Sequence, residues 1–413
     1  MIIPAMELCG GRVVVAQADE TTLERAEDPV ELAKVLYRYG EIALIDLDAA
    51  RGEGDNLELI REICRVCECR VGGGIRDEKR GDALLRAGAT QLIVGTGADE
   101  ELLARFPRKK VLVGIDVKDG KMVHGGWIEA TDIDPVQLAV RLQEYCAGFV
   151  YTPVGHRDRL EPAEVQRFEE LQTALPRHRF IFNGGFSSLD ELRELDRIGV
   201  DTQVSYGLIP EGVDLAEAFV AVIDFEKSSG LVPVIVQDQA GQVLTLVYAN
   251  EDAVHKSLQT GKATYWSPGR GEMYTKGQTS GNTHEVITVR PDCDRDALLF
   301  VVEPHGASCH VGRYACFDDI SYNLQRIEQM MRSRQAAADA RKSYTSLMLA
   351  DRQAVKDRVR DEAEALVAAK SRDEVLWETA DLLYFVLLHL VGEGITLDEV
   401  LKELRGRAGR RRS

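Results

Sequence analysis

Between Arg290 and Phe317 the chain reads RPDCDRDALLFVVEPHGASCHVGRYACF. Cys293, Cys309 and Cys316 offer soft thiolates in this window, and Asp292, Asp294 and Asp296 offer hard carboxylates at a spacing of two. Three thiolates suit a zinc site that keeps one position open for water. Carboxylates suit a hard cation such as Mg2+. Residues at spacing two share one face of a β-strand. A strand here would therefore set the three aspartates on one side and Cys293 on the other. The run CHVGRYAC places His310 and Arg313 among the thiols, which argues against cysteines that merely fill a core.

A second acidic constellation lies toward the C-terminus. Asp361, Glu362 and Glu364 fall in DRVRDEAEALVAAK, and Glu378 and Asp381 fall in EVLWETADLLYFVLLHLV. Acidic residues three apart on a helix face one way, so two such helices can hold Mg2+ on a diphosphate. Glu378 and Asp381 stand in an otherwise apolar stretch, where a charge is costly without a partner.

The third signal is glycine. CRVGGGIRDEKRGDALLRAGATQLIVGTGA (69–98) is repeated as RFIFNGGFSSLDELRELDRIGVDTQVSYGL (179–208), with Gly73, Gly74 and Gly88 matching Gly184, Gly185 and Gly199. Glycine turns at strand ends let backbone N–H groups approach a phosphate. Gly74, Gly95 and Thr96 form one candidate grip and Gly185 marks the other. Cys64, Cys67 and Cys69 have the spacing of a metal clip, but they span a helix end and a strand start. They are read as core cysteines, with a zinc site as the alternative.

These residues need elements to position them. Residues 1–225 alternate apolar runs (IALIDLD, QLIVGT, KVLVGIDV, GFVYTPV, RFIFNGG) with helical segments. That pattern predicts a parallel sheet and an α/β TIM barrel built as a half-barrel repeat. Residues 230–320 read as a small β-rich zinc domain, and 322–413 as a small all-α domain. The net charge of −17 disfavours nucleic acid as a partner, and RGRAGRRRS at 405–413 reads as a solvated tail. No uninterrupted apolar run reaches the roughly 18 residues of a membrane span, so no membrane partner is expected. The N-terminus lacks the basic start of a signal peptide. Eight cysteines in so long a chain fit a reducing, cytoplasmic setting rather than a disulfide scaffold.

The motifs YANEDA (248–253), YWSPGRGEMYTKGQTSG (265–281), DCDRDAL (292–298) and ASCHVGRYAC (307–316) resemble phosphoribosyl-AMP cyclohydrolase, an enzyme of histidine biosynthesis. The resemblance implies a dimeric domain whose zinc takes cysteines from both chains, giving a homodimer or larger assembly. It also implies Mg2+ at Asp292, Asp294 and Asp296, hydroxide attack on C6 of the N1-substituted adenine, His310 as proton shuttle and Lys276 on the substrate. Ser267-Pro268-Gly269-Arg270 stands where the family often has SRSRG, and Tyr274 where it often has Trp. The helical segment, with SYT at 343–345, resembles phosphoribosyl-ATP pyrophosphohydrolase. Its Glu-Glu-x-x-Glu pattern appears here with Asp361 first and Ala365 third, and with Glu364 one place early.

MIIPAMEL, VGGGIRD, GATQLIVGTGA, VGIDVKDGK and GGW resemble the phosphoribosylformimino aminoimidazole carboxamide ribotide isomerase. The resemblance implies a general base at Glu7, where the family has Asp, a retained Asp116, and Trp127 stacking on the substrate. The second half departs from the pattern. Arg157 occupies the acid position with Asp158 one residue late, and Tyr206 stands where the repeat would place the counterpart of Gly95. The substrates implied are small phosphorylated nucleotide-sugars. Phosphoribosyl-ATP would be cleaved and its adenine ring opened, and isomerisation by the barrel is expected to be weak or absent. A scaffold role and action on a smaller phosphorylated sugar are the barrel's alternatives.

Overall fold

The computed structural model describes residues 1–16, 21–22, 28–118, 121–124, 129–130, 133–154, 160–205, 214–317, 321–336 and 343–408. It divides into two compact units, one of residues 1–239 with 243–317 and one of 240–242 with 318–408.

In the first unit, eight parallel strands close on themselves: β1 (Ile2–Cys9), β2 (Ile42–Asp46), β3 (Cys69–Gly72), β4 (Gln91–Val94), β5 (Val111–Lys118), β6 (Gly148–Pro153), β7 (Arg179–Asn183) and β8 (Val200–Ser205). Each pairs with the next, and β8 returns to β1. The predicted TIM-type barrel is present. Strand alternation gives two cores. Ile3, Ala5, Ala43, Ile93, Leu112, Val150 and Ile181 fill the lumen, while Ile2, Met6 and Leu8 pack outward with the surrounding helices. The same alternation aims Glu7 inward. Cys64, Cys67 and Cys69 are buried in the outer core, as the apolar reading expects.

The repeat appears as strand, turn, helix, strand in both halves, through helices Glu78–Ala87 and Leu189–Arg197. The turns differ. Gly73 and Gly74 have φ of 104° and 67°, whereas Gly184 and Gly185 are not among the left-handed glycines. A Cβ on Gly73 would lie 2.2 Å from the Asp46 carbonyl oxygen, so close backbone packing alone requires this glycine.

A six-stranded sheet follows in the same unit: β9 (Val232–Asp238), β10 (Val243–Ala249), β11 (Thr264–Ser267), β12 (Glu272–Thr275), β13 (Thr283–Pro291) and β14 (Leu298–His305). Its order is β12-β11-β10-β9-β14-β13, with helix Glu251–Thr260 between β10 and β11. Its apolar face shares one core with the barrel's outer layer. Arg290 reaches the Tyr37 hydroxyl at 3.1 Å and Glu68 at 3.0 Å, and Arg38 donates to the carbonyl oxygens of Leu258 and Gln259.

The expected strand across 292–296 is not formed. β13 ends at Pro291 and β14 begins at Leu298, so the aspartates occupy the turn between two antiparallel strands. The chain must reverse there, and Arg295 does so at φ 62°. The carboxylates converge through loop curvature, not strand alternation.

The second unit contains α1 (Leu324–Ala336), α2 (Tyr344–Ala350), α3 (Arg352–Ala368), α4 (Arg372–Gly392) and α5 (Leu397–Ala408). Counting uninterrupted apolar residues misses α4, which is long and apolar enough by length and composition to cross a membrane. Here it packs Phe385, Leu387, Leu388 and Val391 with Met331, Val355 and Leu397 into the unit's own core.

Candidate active sites

The barrel mouth collects the strand C-termini, where barrels of this type place their chemistry. Glu7 is buried, and its Oε1 accepts a 2.5 Å hydrogen bond from the Ser205 hydroxyl. Asn183 donates to the Thr152 hydroxyl at 3.1 Å, and its own carbonyl accepts from Gln203 at 3.0 Å. Gly95, Thr96 and Asp116 line one cavity of about 130 Å³ with Gly114 and Arg141. Among the described residues, none beyond its chain neighbours lies within 4 Å of where a Gly95 side chain would start, so a ligand has room against that backbone. Arg141 escaped the sequence reading. It lies on the helix Pro135–Leu142 after Asp116's strand, outside every motif, and faces the same space. Gly74 is crowded instead, with a notional Cβ 2.4 Å from the Ala49 carbonyl oxygen. Gly185 is buried. Trp127, Arg157, Asp158 and Tyr206 lie outside the described residues.

The β-rich domain holds a cavity of about 450 Å³ lined by Thr245, Val247, Tyr265, Ser267, Arg270, Tyr274, Lys276, Ser308, His310 and Cys316. β10 to β12 supply one wall and the loop after β14 supplies the other. That loop is tightly pinned. Cys309 and Arg313 bond through their backbones at 3.1 Å, Gly312 turns at φ 85°, and the Cys316 N–H donates to the Leu244 carbonyl at 2.7 Å. The Val311 backbone N–H, with help from Cys316 and Arg313, holds the Cys309 thiol below its ordinary value. The thiolate is the form of cysteine that can bind a metal. Cys309 and Cys316 lie together, whereas Cys293 stands in the turn between β13 and β14. Among the described residues of one chain, the three cysteines do not form one metal-binding group.

Lys276 donates to the Ser308 carbonyl at 2.7 Å, and burial lowers its pKa. Arg270 sits 5.1 Å over the Tyr274 ring. His284 also escaped the sequence reading, because nothing in NTHEV marks it. It is buried, with Nδ1 3.2 Å from the Tyr265 hydroxyl and Nε2 2.9 Å from the Ser308 hydroxyl. Burial, reinforced by Lys276 and His305, lowers its pKa to about 3.

The carboxylates of Asp292, Asp294 and Asp296 lie within 4.8 Å of one another. The Lys227 ammonium reaches both Asp294 and Asp296 at 2.5 Å. In the helical unit, Glu362 on α3 meets Glu378 and Asp381 on α4 within the same 4.8 Å limit. Asp361 and Glu364 are exposed and stand outside this group. Successive helical residues are about 100° apart, so with Glu362 facing α4 its neighbours turn to solvent. Burial raises the Glu362 pKa, Asp381 and Glu378 raise it further, and Arg358 at 2.5 Å opposes them. Thr345 of the SYT run bonds the Tyr384 hydroxyl at 2.8 Å and accepts from Arg334 at 2.8 Å.

A barrel, a thiol-bearing cleft and an acidic helix pair together define a multidomain enzyme for phosphorylated substrates. Residues 1–209 match the family model described as histidine biosynthesis protein, and the chain belongs to that family. Residues 245–318 match the model for phosphoribosyl-AMP cyclohydrolase, and 324–408 match that for phosphoribosyl-ATP pyrophosphohydrolase. The chain is thus a histidine-biosynthesis enzyme with both hydrolase activities. The histidine biosynthesis bifunctional protein HisIE of Pyrococcus furiosus is 38% identical over 204 residues, covering 46% of this chain and 98% of that protein. The HisIE protein of Escherichia coli K12 is 39% identical over 193 residues, 45% of this chain and 95% of its own. The histidine biosynthesis trifunctional protein of Saccharomyces bayanus is 31% identical over 237 residues, 57% of this chain but only 29% of that larger protein. The cyclohydrolase family is metal-dependent.

Proposed function

We propose that three functional segments, 1–225, 230–320 and 322–413, act in reverse chain order on one substrate. The acidic helix pair cleaves phosphoribosyl-ATP, the β-rich domain opens the adenine ring of the product, and the barrel holds the resulting phosphorylated compound. The convergence of Glu362, Glu378 and Asp381 from two helices carries the first step. These three carboxylates suit Mg2+, which would neutralise diphosphate charge.

In the β-rich domain, Cys293, Cys309 and Cys316 would hold Zn2+, and Asp292, Asp294 and Asp296 would hold Mg2+. Zinc when bound supplies a Lewis acid that makes hydroxide available near neutral pH. Tyr274 and Arg270 offer a stacked face for the purine. Lys276 and Arg270 supply positive charge to a substrate phosphate. His310 lines the same cavity, where it can move a proton at the ring nitrogen as the C6 bond opens. Cys293 stands apart from Cys309 and Cys316 within one chain, which supports a homodimer whose site draws thiols from two copies. Eight free cysteines support a reducing cytoplasm.

In the barrel, the Gly95–Thr96 turn with Arg141 would bind a phosphate, and Glu7 and Asp116 would serve proton transfer. The open backbone at Gly95, against Tyr206 at the matching position of the repeat, favours one firm phosphate grip, with isomerase turnover weak or absent. Feeding phosphoribosyl-ATP to the full chain and identifying where products stop tests the whole sequence. Accumulation of the ring-opened aminoaldose is expected. Prompt conversion to the aminoketose would make the barrel a competent isomerase, and no consumption of phosphoribosyl-ATP would refute the first step.

A further inference from the structure

The Asp292–Asp296 turn is tied to the barrel and to the segment just after it. The Arg295 guanidinium lies against Asp196 and 3.8 Å from Asp201, carboxylates that also hold the Met1 ammonium at 3.4 and 2.7 Å. These residues stand at the end of helix Leu189–Arg197 and near the start of β8, on the barrel floor opposite the mouth. The Asp224 N–H donates to the Arg295 carbonyl at 2.9 Å. Lys227, a few residues on, spans Asp294 and Asp296.

Arg295 has φ 62°, a conformation open to glycine at little cost and unfavourable for a long side chain. Such strain persists only where surroundings over-determine it. Here the surroundings are the floor carboxylates. Asp201 also binds Arg179 at 2.6 Å, so the anchor point is itself held. Side chains of this turn point two ways: Arg295 down to the barrel, and the three aspartates toward each other, with the Lys227 ammonium on Asp294 and Asp296. The floor is the face of such a barrel that serves stability, so an anchor there leaves the mouth unobstructed.

We propose that Arg295 is a positioning residue for the cyclohydrolase: by fixing the turn to the barrel floor it holds Asp292, Asp294 and Asp296 in the geometry that accepts a divalent cation. This rests on the assignment of a cation to those aspartates. The barrel thereby serves ring opening through its floor, whatever its mouth does. Lys227 acts in the opposite sense, as an internal cation that a divalent ion must displace.

The test is Mn2+ binding to the full chain, read from loss of the free-ion electron paramagnetic resonance signal. A Glu378→Gln background weakens the helical site's contribution. Arg295→Ala and Arg295→Gly are expected to bind Mn2+ about 10-fold more weakly, the range for losing a partner that orients ligands. Arg295→Lys should fall between them and the parent, and Lys227→Met should bind more tightly. In chains with Glu378 intact, the Mg2+ concentration for half-maximal ring opening should rise by the same factor in Arg295→Gly. That for pyrophosphate release should not move. Parental Mn2+ affinity in Arg295→Gly would overturn the anchor, since the backbone preference alone would then explain the turn. Weakening by Lys227→Met equal to that of Arg295→Ala would also overturn it, as general loosening. If Asp294→Asn changes neither Mn2+ binding nor Mg2+ dependence, the cation assignment itself fails.

Discussion

Acidification from pH 7 to pH 5 should selectively loosen the β-rich domain, and His284 sets the size of the effect. The ring is buried between the Tyr265 and Ser308 hydroxyls, and Lys276 also opposes a charge there. A neutral ring satisfies both contacts, donating to one hydroxyl and accepting from the other. Burial lowers its pKa from the ordinary 6.5 to about 3. Below about 6.5 the unfolded chain takes a proton that the folded chain refuses, so stability falls with pH until the folded pKa is reached. The slope is about 1.4 kcal/mol per pH unit, which gives about 2 kcal/mol lost at pH 5. The loss develops mostly above the range where ordinary carboxylates titrate. The assay is urea unfolding followed by residue-resolved hydrogen exchange in β11 and β13, for the parent and for His284→Gln. The variant should start less stable, having lost its ring contacts, but fall less steeply between pH 6.5 and 5. NMR titration should find the parent His284 ring neutral throughout that window. A ring that titrates near pH 6.5 in the folded protein, or identical slopes for parent and variant, would refute the reasoning.

Cys309→Ala should reduce ring opening by more than the roughly 10–100-fold that follows loss of an outer-shell partner, while pyrophosphate release continues; equal loss of both in a folded variant would mean the sites are not separate. Glu378→Gln should show the converse, because an amide binds Mg2+ more weakly than a carboxylate, and unchanged pyrophosphate release would reduce the acidic trio to surface charge. Gly73→Ala should destabilise the barrel by roughly 2–4 kcal/mol, combining backbone strain with a clash against Asp46; a thermal midpoint equal to the parent's would contradict the close packing described.

The sequence by itself determined the order of elements, the barrel, the split between hydrolase segments and the types of residue at each centre. The elements follow from local spacing, and the hydrolase identities from motif resemblance. Period-two alternation sends Glu7 inward with Ile3 and Ala5, and three-residue spacing puts Glu378 and Asp381 on one side of α4. Tertiary structure decided which of those residues meet. Glu362 rather than Asp361 or Glu364 joins the acidic trio, because α3 presents one side to α4. The aspartates 292, 294 and 296 gather in a turn, since two antiparallel strands must be connected there. Arg141 lines the barrel cavity, and His284 bonds Tyr265 and Ser308 of the other cavity's wall, through a fold that no local pattern encodes. Arg295 is the sharpest case. In sequence it is one residue inside DCDRDAL, and its partners Asp196 and Asp201 lie about a hundred positions earlier. Only the packing of the β-rich sheet against the barrel floor brings those charges together, and only the folded backbone shows Arg295 in the left-handed conformation.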